Sequence, residues 1–154
     1  AIADCPRVLC AAPDYVAARG APKTGDDLLS EGHACLLLRF PGSTEFRWRL
    51  RTPDGDQDFN VTGPYSCDDG DVLTQWALDG TGIVNKPVFA VLPHLASGAL
   101  VPVCEETPPP DAQLACLFPH KRNQDPKSRL FIDYMVDRIK ADLRQMETAY
   151  QLPR

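Results

Sequence analysis

Four short apolar runs constrain this chain more than any other feature: Val8-Leu9-Cys10-Ala11, Ala34-Cys35-Leu36-Leu37-Leu38, Leu100-Val101-Pro102-Val103 and Leu114-Ala115-Cys116-Leu117. None alternates apolar with polar residues, so each predicts a strand buried on both faces, over 7–12, 34–40, 100–105 and 114–118. Helix signals lie between them. Pro13 opens a helix over 14–19 with Gly20 at its stop, and Thr24 is placed to cap 25–30. Ser66 to Asp69 offers caps for a helix from about Gly70 to Asp79, whose Val72, Leu73, Trp76 and Ala77 share one face. Ile83-Val84 begins a short strand, Pro87 opens a helix to about Ser97, and Lys127 to about Tyr150 forms the longest helix. Strands alternating with helices predict an α/β sheet covered on both sides.

One stretch departs from this pattern. Phe46-Arg47-Trp48-Arg49-Leu50-Arg51 has period two, as a half-exposed strand should, and predicts a hairpin with Phe59 to Tyr65 after a turn at 52–56. The Pro108-Pro109-Pro110 connector is the best internal boundary.

A chain of 154 residues with 44% hydrophobic and 24% charged residues fits one ordinary globular domain. No apolar run approaches the roughly 18 residues of a membrane span. The net charge is −5, and the basic residues are dispersed. Phosphate binding needs clustered Lys and Arg, so this segment is not expected to contact nucleic acid. Arg47, Arg49 and Arg51 read instead as the solvent face of their strand. The six cysteines form no CxxC pair, and Cys10, Cys35, Cys104 and Cys116 sit in apolar runs. They are expected to be buried free thiols in a cytoplasmic protein.

The sequence offers no nucleophile–base pair and no phosphate loop, so no catalytic residue and no cofactor are expected. His33, His94 and His120 lack ligand spacing and read as surface or turn residues; no metal site is expected. The acidic group around Asp69 reads first as dipole-stabilising capping of the helix that follows. The candidate ligand site is the turn Phe40-Pro41-Gly42-Ser43-Thr44, with Asp69 near the same cleft. Ligands of open α/β sheets collect beyond strand C-termini, and this turn offers backbone N–H groups and two hydroxyls. An ordinary turn is the competing reading.

Read in order, the segments resemble the regulatory domain of LysR-type transcriptional regulators. The resemblance runs from Val8-Leu9-Cys10-Ala11-Ala12-Pro13-Asp14-Tyr15 through Asp69-Gly70-Asp71-Val72-Leu73 and Ala77-Leu78-Asp79-Gly80-Thr81-Gly82. It continues in Leu95-Ala96-Ser97-Gly98-Ala99-Leu100-Val101-Pro102-Val103 and Pro126-Lys127-Ser128-Arg129-Leu130-Phe131. The resemblance implies a type 2 periplasmic-binding-protein-like fold of two lobes with a small-molecule effector in the cleft between them. It assigns 1–110 to lobe two, and 111–154 to the hinge return, last strand and C-terminal helix of lobe one. Ala1 then falls near the first hinge crossing, and DNA is contacted only through a helix-turn-helix absent from this sequence. It implies a homodimer or higher homo-oligomer. Where a peroxide-sensing relative has a cysteine, this chain has Ser43 or Thr44, so redox sensing is not expected. The alternative is an extracytoplasmic solute-binding protein of the same architecture.

Overall fold

The computed structural model describes residues 1–41, 46–117 and 125–150. Its strands are β1 (Ala3–Cys5), β2 (Arg7–Ala11), β3 (Leu37–Leu38), β4 (Arg47–Thr52), β5 (Gly55–Asn60), β6 (Ser66–Cys67), β7 (Val84–Pro87), β8 (Val101–Val103) and β9 (Ala112–Leu114). The helices are α1 (Pro13–Arg19), α2 (Gly25–Ser30), α3 (Gly70–Leu78), α4 (Val88–Ser97) and α5 (Pro126–Tyr150).

β2 lies between β7 and β8, antiparallel to both. β3 and β6 pair in parallel. A parallel bridge from Cys35 to Ile83 links the two groups, with the Leu36 N–H on the Ile83 carbonyl and the Ile83 N–H on the Ala34 carbonyl, both at 2.8 Å. Side chains alternate across a strand, so the apolar runs feed two cores. Leu9, Ala11, Cys35 and Leu37 pack with Tyr15, Leu28, Trp48, Leu50 and Phe59 on one side. Cys10, Leu36 and Val84 pack with Leu73, Ala77, Val91 and Leu100 on the other. The sheet is therefore covered on both faces: α1, α2 and the β4–β5 hairpin contribute to one cover, α3 and α4 to the other.

Local chemistry sets the helix ends. Thr24 and Asp27 form a reciprocal capping box at α2, and Gly98 ends α4 in the left-handed region at φ 77°. In β4 the alternation holds, with Trp48 and Leu50 buried and Arg47, Arg49 and Arg51 exposed.

Several boundaries differ from those the sequence suggests. The hairpin partner is 55–60 rather than 59–65, because Pro53-Asp54 makes a tight turn that sets Thr52 opposite Gly55. Beyond Asn60 the chain turns to follow β3: Cys35 N–H bonds the Thr62 carbonyl at 3.1 Å and Leu37 N–H the Tyr65 carbonyl at 3.2 Å. Gly63 permits this approach, since a Cβ there would overlap the Cys35 carbonyl. The strand expected at 114–118 is instead β9 at 112–114, paired antiparallel with β1. Cys116 and Leu117 are consequently exposed, Leu117 almost completely.

His33 is also not a surface residue: it is buried and hydrogen bonded to Tyr15 and Glu31. His94 is half-buried near the end of α4, and His120 lies outside the described residues. Among the described residues no helix is long and apolar enough to cross a membrane.

Candidate functional site

In the β2–β7 ladder Lys86 stands opposite Val8, Asn85 opposite Leu9 and Pro87 opposite Arg7. Directly opposed residues share a face of the sheet. Lys86 therefore leaves toward α3, while Asn85 and Arg7 leave toward the side covered by the hairpin. Around this end of the sheet lies a cavity of about 290 Å³. Leu36, Leu38 and Phe40 line it from β3 and the segment after it, and Trp48 lines it between Arg47 and Arg49 of β4. Gly70 and Leu73 close it from α3, and Pro109 and Pro110 from the connector.

The cavity wall is apolar with cations set into it. Among the described residues Arg7, Arg47, Arg49 and Lys86 line it and no Asp or Glu does, although the chain as a whole is acidic. Lys86 is 9% exposed and donates from Nζ to the Gly70 carbonyl at 2.7 Å. Burial pulls its pKa down, against the opposing pull of Asp71, Cys10 and Asp69. Arg49 is committed elsewhere, its Nε and Nη2 gripping both Asp58 carboxylate oxygens at 2.8 and 3.0 Å.

Arg7 is different. Its Nη2 reaches the Asn85 backbone carbonyl at 3.4 Å, while its buried Nε has no partner. Desolvation alone lowers its pKa, and among the described residues no carboxylate pairs with it. Beside it, the buried Asn85 Oδ1 is likewise without a hydrogen bond. Both atoms are shielded from solvent, and most buried polar groups are satisfied, so these two stand out.

The residues singled out from sequence fall around this cavity unevenly. Phe40 lines it and is 62% exposed. Pro41 is exposed and does not form part of the wall; Gly42, Ser43 and Thr44 lie outside the described residues. The Asp69 side chain accepts from the Asp71 and Val72 N–H groups at 2.8 and 3.3 Å, capping α3. Its neighbour Gly70, not Asp69, reaches the cavity. Arg7, Asn85 and Lys86 were not singled out. The signal for them was modest: two polar residues directly after Ile83-Val84, on a strand that the apolar pattern alone ends too early.

The model of the LysR substrate binding domain matches residues 1–140. The chain belongs to that family. This LysR domain is 33% identical over 129 residues to the HTH-type transcriptional regulator DmlR of Escherichia coli K12, covering 84% of this chain and 41% of that protein. It is similar to the solved regulatory domain of CrgA, a LysR-type regulator of Neisseria meningitidis, at TM-score 0.66 and 26% identity, covering 89% of this chain and 66% of that one. It also resembles full-length AphB, a Vibrio cholerae virulence activator, at TM-score 0.70 and 26% identity, over 88% of this chain and 46% of the other. The LysR domain thus spans less than half the length of DmlR. Its relatives are regulators, which favours that reading over a solute-binding protein and gives no support to an enzymatic one. Their structures confirm the periplasmic-binding-like α/β fold.

Proposed function

We propose that this chain is the effector-sensing part of a cytoplasmic LysR-family transcriptional regulator, and that its effector binds in the cavity bounded by Arg7, Phe40, Trp48, Asn85 and Lys86. The observation that carries this is a partly apolar cavity of about 290 Å³ whose wall sets Arg7, Asn85 and Lys86 beside Phe40 and Trp48. Ligand sites combine apolar walls with a few convergent polar groups, as this one does. The turn Phe40-Pro41-Gly42-Ser43-Thr44 would form the mouth, with Ser43 hydrogen bonding the effector and Asp69 holding α3 in place. Residues 1–110 would be lobe two and 111–154 the return to lobe one. The β1–β9 ladder supports this division, because it brings the two crossing segments side by side. A helix-turn-helix elsewhere in the parent chain would contact DNA, and the regulator would work as a homodimer or higher homo-oligomer.

The test is a reporter-gene dose response in the full-length regulator. Trp48→Ala and Asn85→Leu should each move the half-maximal effector concentration upward by about fivefold or more, the scale of one lost hydrogen bond or packing contact. Promoter binding without effector should be unchanged. Unmoved curves for both variants would place the effector elsewhere.

A further inference from the structure

We infer that this chain carries a second ligand site, between α4, α5 and the outer edge of β1, and that it takes a free α-amino acid with an apolar side chain. The cavity there has a volume of about 320 Å³ and shares no lining residue with the one around Trp48. Five consecutive residues, Ile2 to Pro6, line it. Side chains of a strand leave alternately on opposite faces, so an unbroken run along a cavity presents the strand's edge. β9 takes one edge of β1, and among the described residues no strand takes the other. Alternate peptide groups of that open edge can serve a small polar head. Phe89 and Leu92 of α4, with Leu143 and Met146 of α5, give an apolar floor. A cavity of this size suits a small ligand.

Charge at the cavity selects the head group. Lys140, Arg144 and Glu147 line it from α5, and Asp4 lines it from β1. Residues three and four apart are neighbours on a helix, so the three on α5 form one row of two cations and a carboxylate. Arg144 and Glu147 do not close on each other: among the described residues, ion pairing within α5 is confined to Arg138 and Asp142, at 3.3 Å. Asp4 joins Glu147 at one end, since both act on the Cys5 thiol, which burial pushes up and their charges push further. An α-amino acid carries its carboxylate and ammonium on one carbon, so a neighbouring cation and carboxylate can grip both. The ammonium belongs at the Glu147 end, in the last turn of α5, where the helix dipole also favours a cation. An apolar acid lacking the ammonium would face Asp4 and Glu147, and an apolar amine would face Lys140 and Arg144. The zwitterion avoids both conflicts.

The chain has two methionines, of which Met146 lines the cavity and Met135 does not. Nuclear magnetic resonance of isotope-labelled methionine methyl groups therefore gives one reporter and one control, assigned with Met135→Leu. The probes are leucine, isocaproate (leucine without the ammonium), leucinamide (without the carboxylate) and glycine (the head alone). Leucine should move the Met146 signal saturably and leave Met135 in place. Isocaproate and leucinamide should bind at least fivefold more weakly, and glycine at least tenfold. Glu147→Gln should weaken leucine about fivefold without weakening isocaproate, and Arg144→Gln should do so without weakening leucinamide. Both residues are exposed, and an unchanged Met135 signal reports that each variant stays folded. Isocaproate matching leucine would overturn the ammonium contact, and leucinamide matching it would overturn the carboxylate contact. Glycine doing so would remove the apolar pocket from the argument. Leucine affinity unchanged in both variants would place the ligand away from α5. A Met146 signal unmoved by leucine and by phenylalanine would sink the site altogether.

Discussion

The Tyr15 hydroxyl lies 2.9 Å from Nδ1 of His33 and accepts the Ala34 N–H at 3.0 Å. The Glu31 carboxylate accepts only, so it takes Nε2–H at 2.9 Å, and in that neutral tautomer Nδ1 accepts the Tyr15 hydroxyl proton. The relay ties α1 to the segment entering β3, where both residues are buried. Tyr15→Phe keeps the ring and strands buried His33 Nδ1 and the half-buried Ala34 N–H. It should cost about 1–3 kcal/mol in urea unfolding, the range for leaving a buried polar group unsatisfied. A loss below about 0.5 kcal/mol would mean the relay is replaced by water.

Asp69 serves α3 rather than the ligand. Its carboxylate takes two N–H groups of the first turn, which otherwise have no partner inside the helix. Asp69→Ala should lower stability by about 1 kcal/mol, whereas Asp69→Asn should retain most of it. In the full-length regulator, the half-maximal effector concentration for Asp69→Asn should stay within twofold of the parent. A tenfold change there would give Asp69 a direct role at the cavity.

The thiols divide by burial. Desolvation pushes Cys10, Cys35 and Cys104 up to about 12 from an ordinary value near 9. These groups hold their protons more tightly folded than unfolded. Their contribution to stability is therefore complete below pH 9 and is lost as pH rises toward 12. Unfolding midpoints should fall over that window, and replacing Cys10 by Ala should flatten the fall. At pH 8, native labelling with a thiol reagent should modify Cys116 and Cys67 first, since these two are not buried. Rapid labelling of Cys35 in the folded chain would contradict the packing.

Leu130, Phe131 and Tyr134 on α5 are 63–73% exposed, and α5 packs mainly against α4. Such a run of apolar side chains favours burial against another chain. Sedimentation should show a concentration-dependent dimer or larger species for this chain, and Leu130→Glu with Phe131→Glu should shift it to monomer. A single-chain mass at every concentration would refute self-association.

Much of the fold was legible because it depends on local rules. Uniformly apolar runs can only be buried, so β2 and the strands around Cys35 and Val103 were visible, as was the half-exposed alternation of β4. Pro13, Thr24, Asp69 and Gly98 mark helix ends through backbone chemistry that needs no distant partner. The ordered series of segments was also sufficient to point to the family.

Other features depend on what lies across space. His33 looks like a turn residue until Tyr15, eighteen positions earlier, supplies its hydrogen bond. The run 114–117 has a strand's composition, yet only Leu114 finds a partner, opposite Ala3, and Leu117 is left exposed. The candidate site is the clearest case. Arg7 and Asn85 are 78 residues apart, and neither belongs to a motif. The antiparallel register of β2 and β7 sets them on one face, and the hairpin and α3 enclose them. Sequence fixes burial and turn chemistry residue by residue, because those are local free energies. Which polar atoms end up buried without partners is set by strand register and packing, so only the tertiary structure could reveal it.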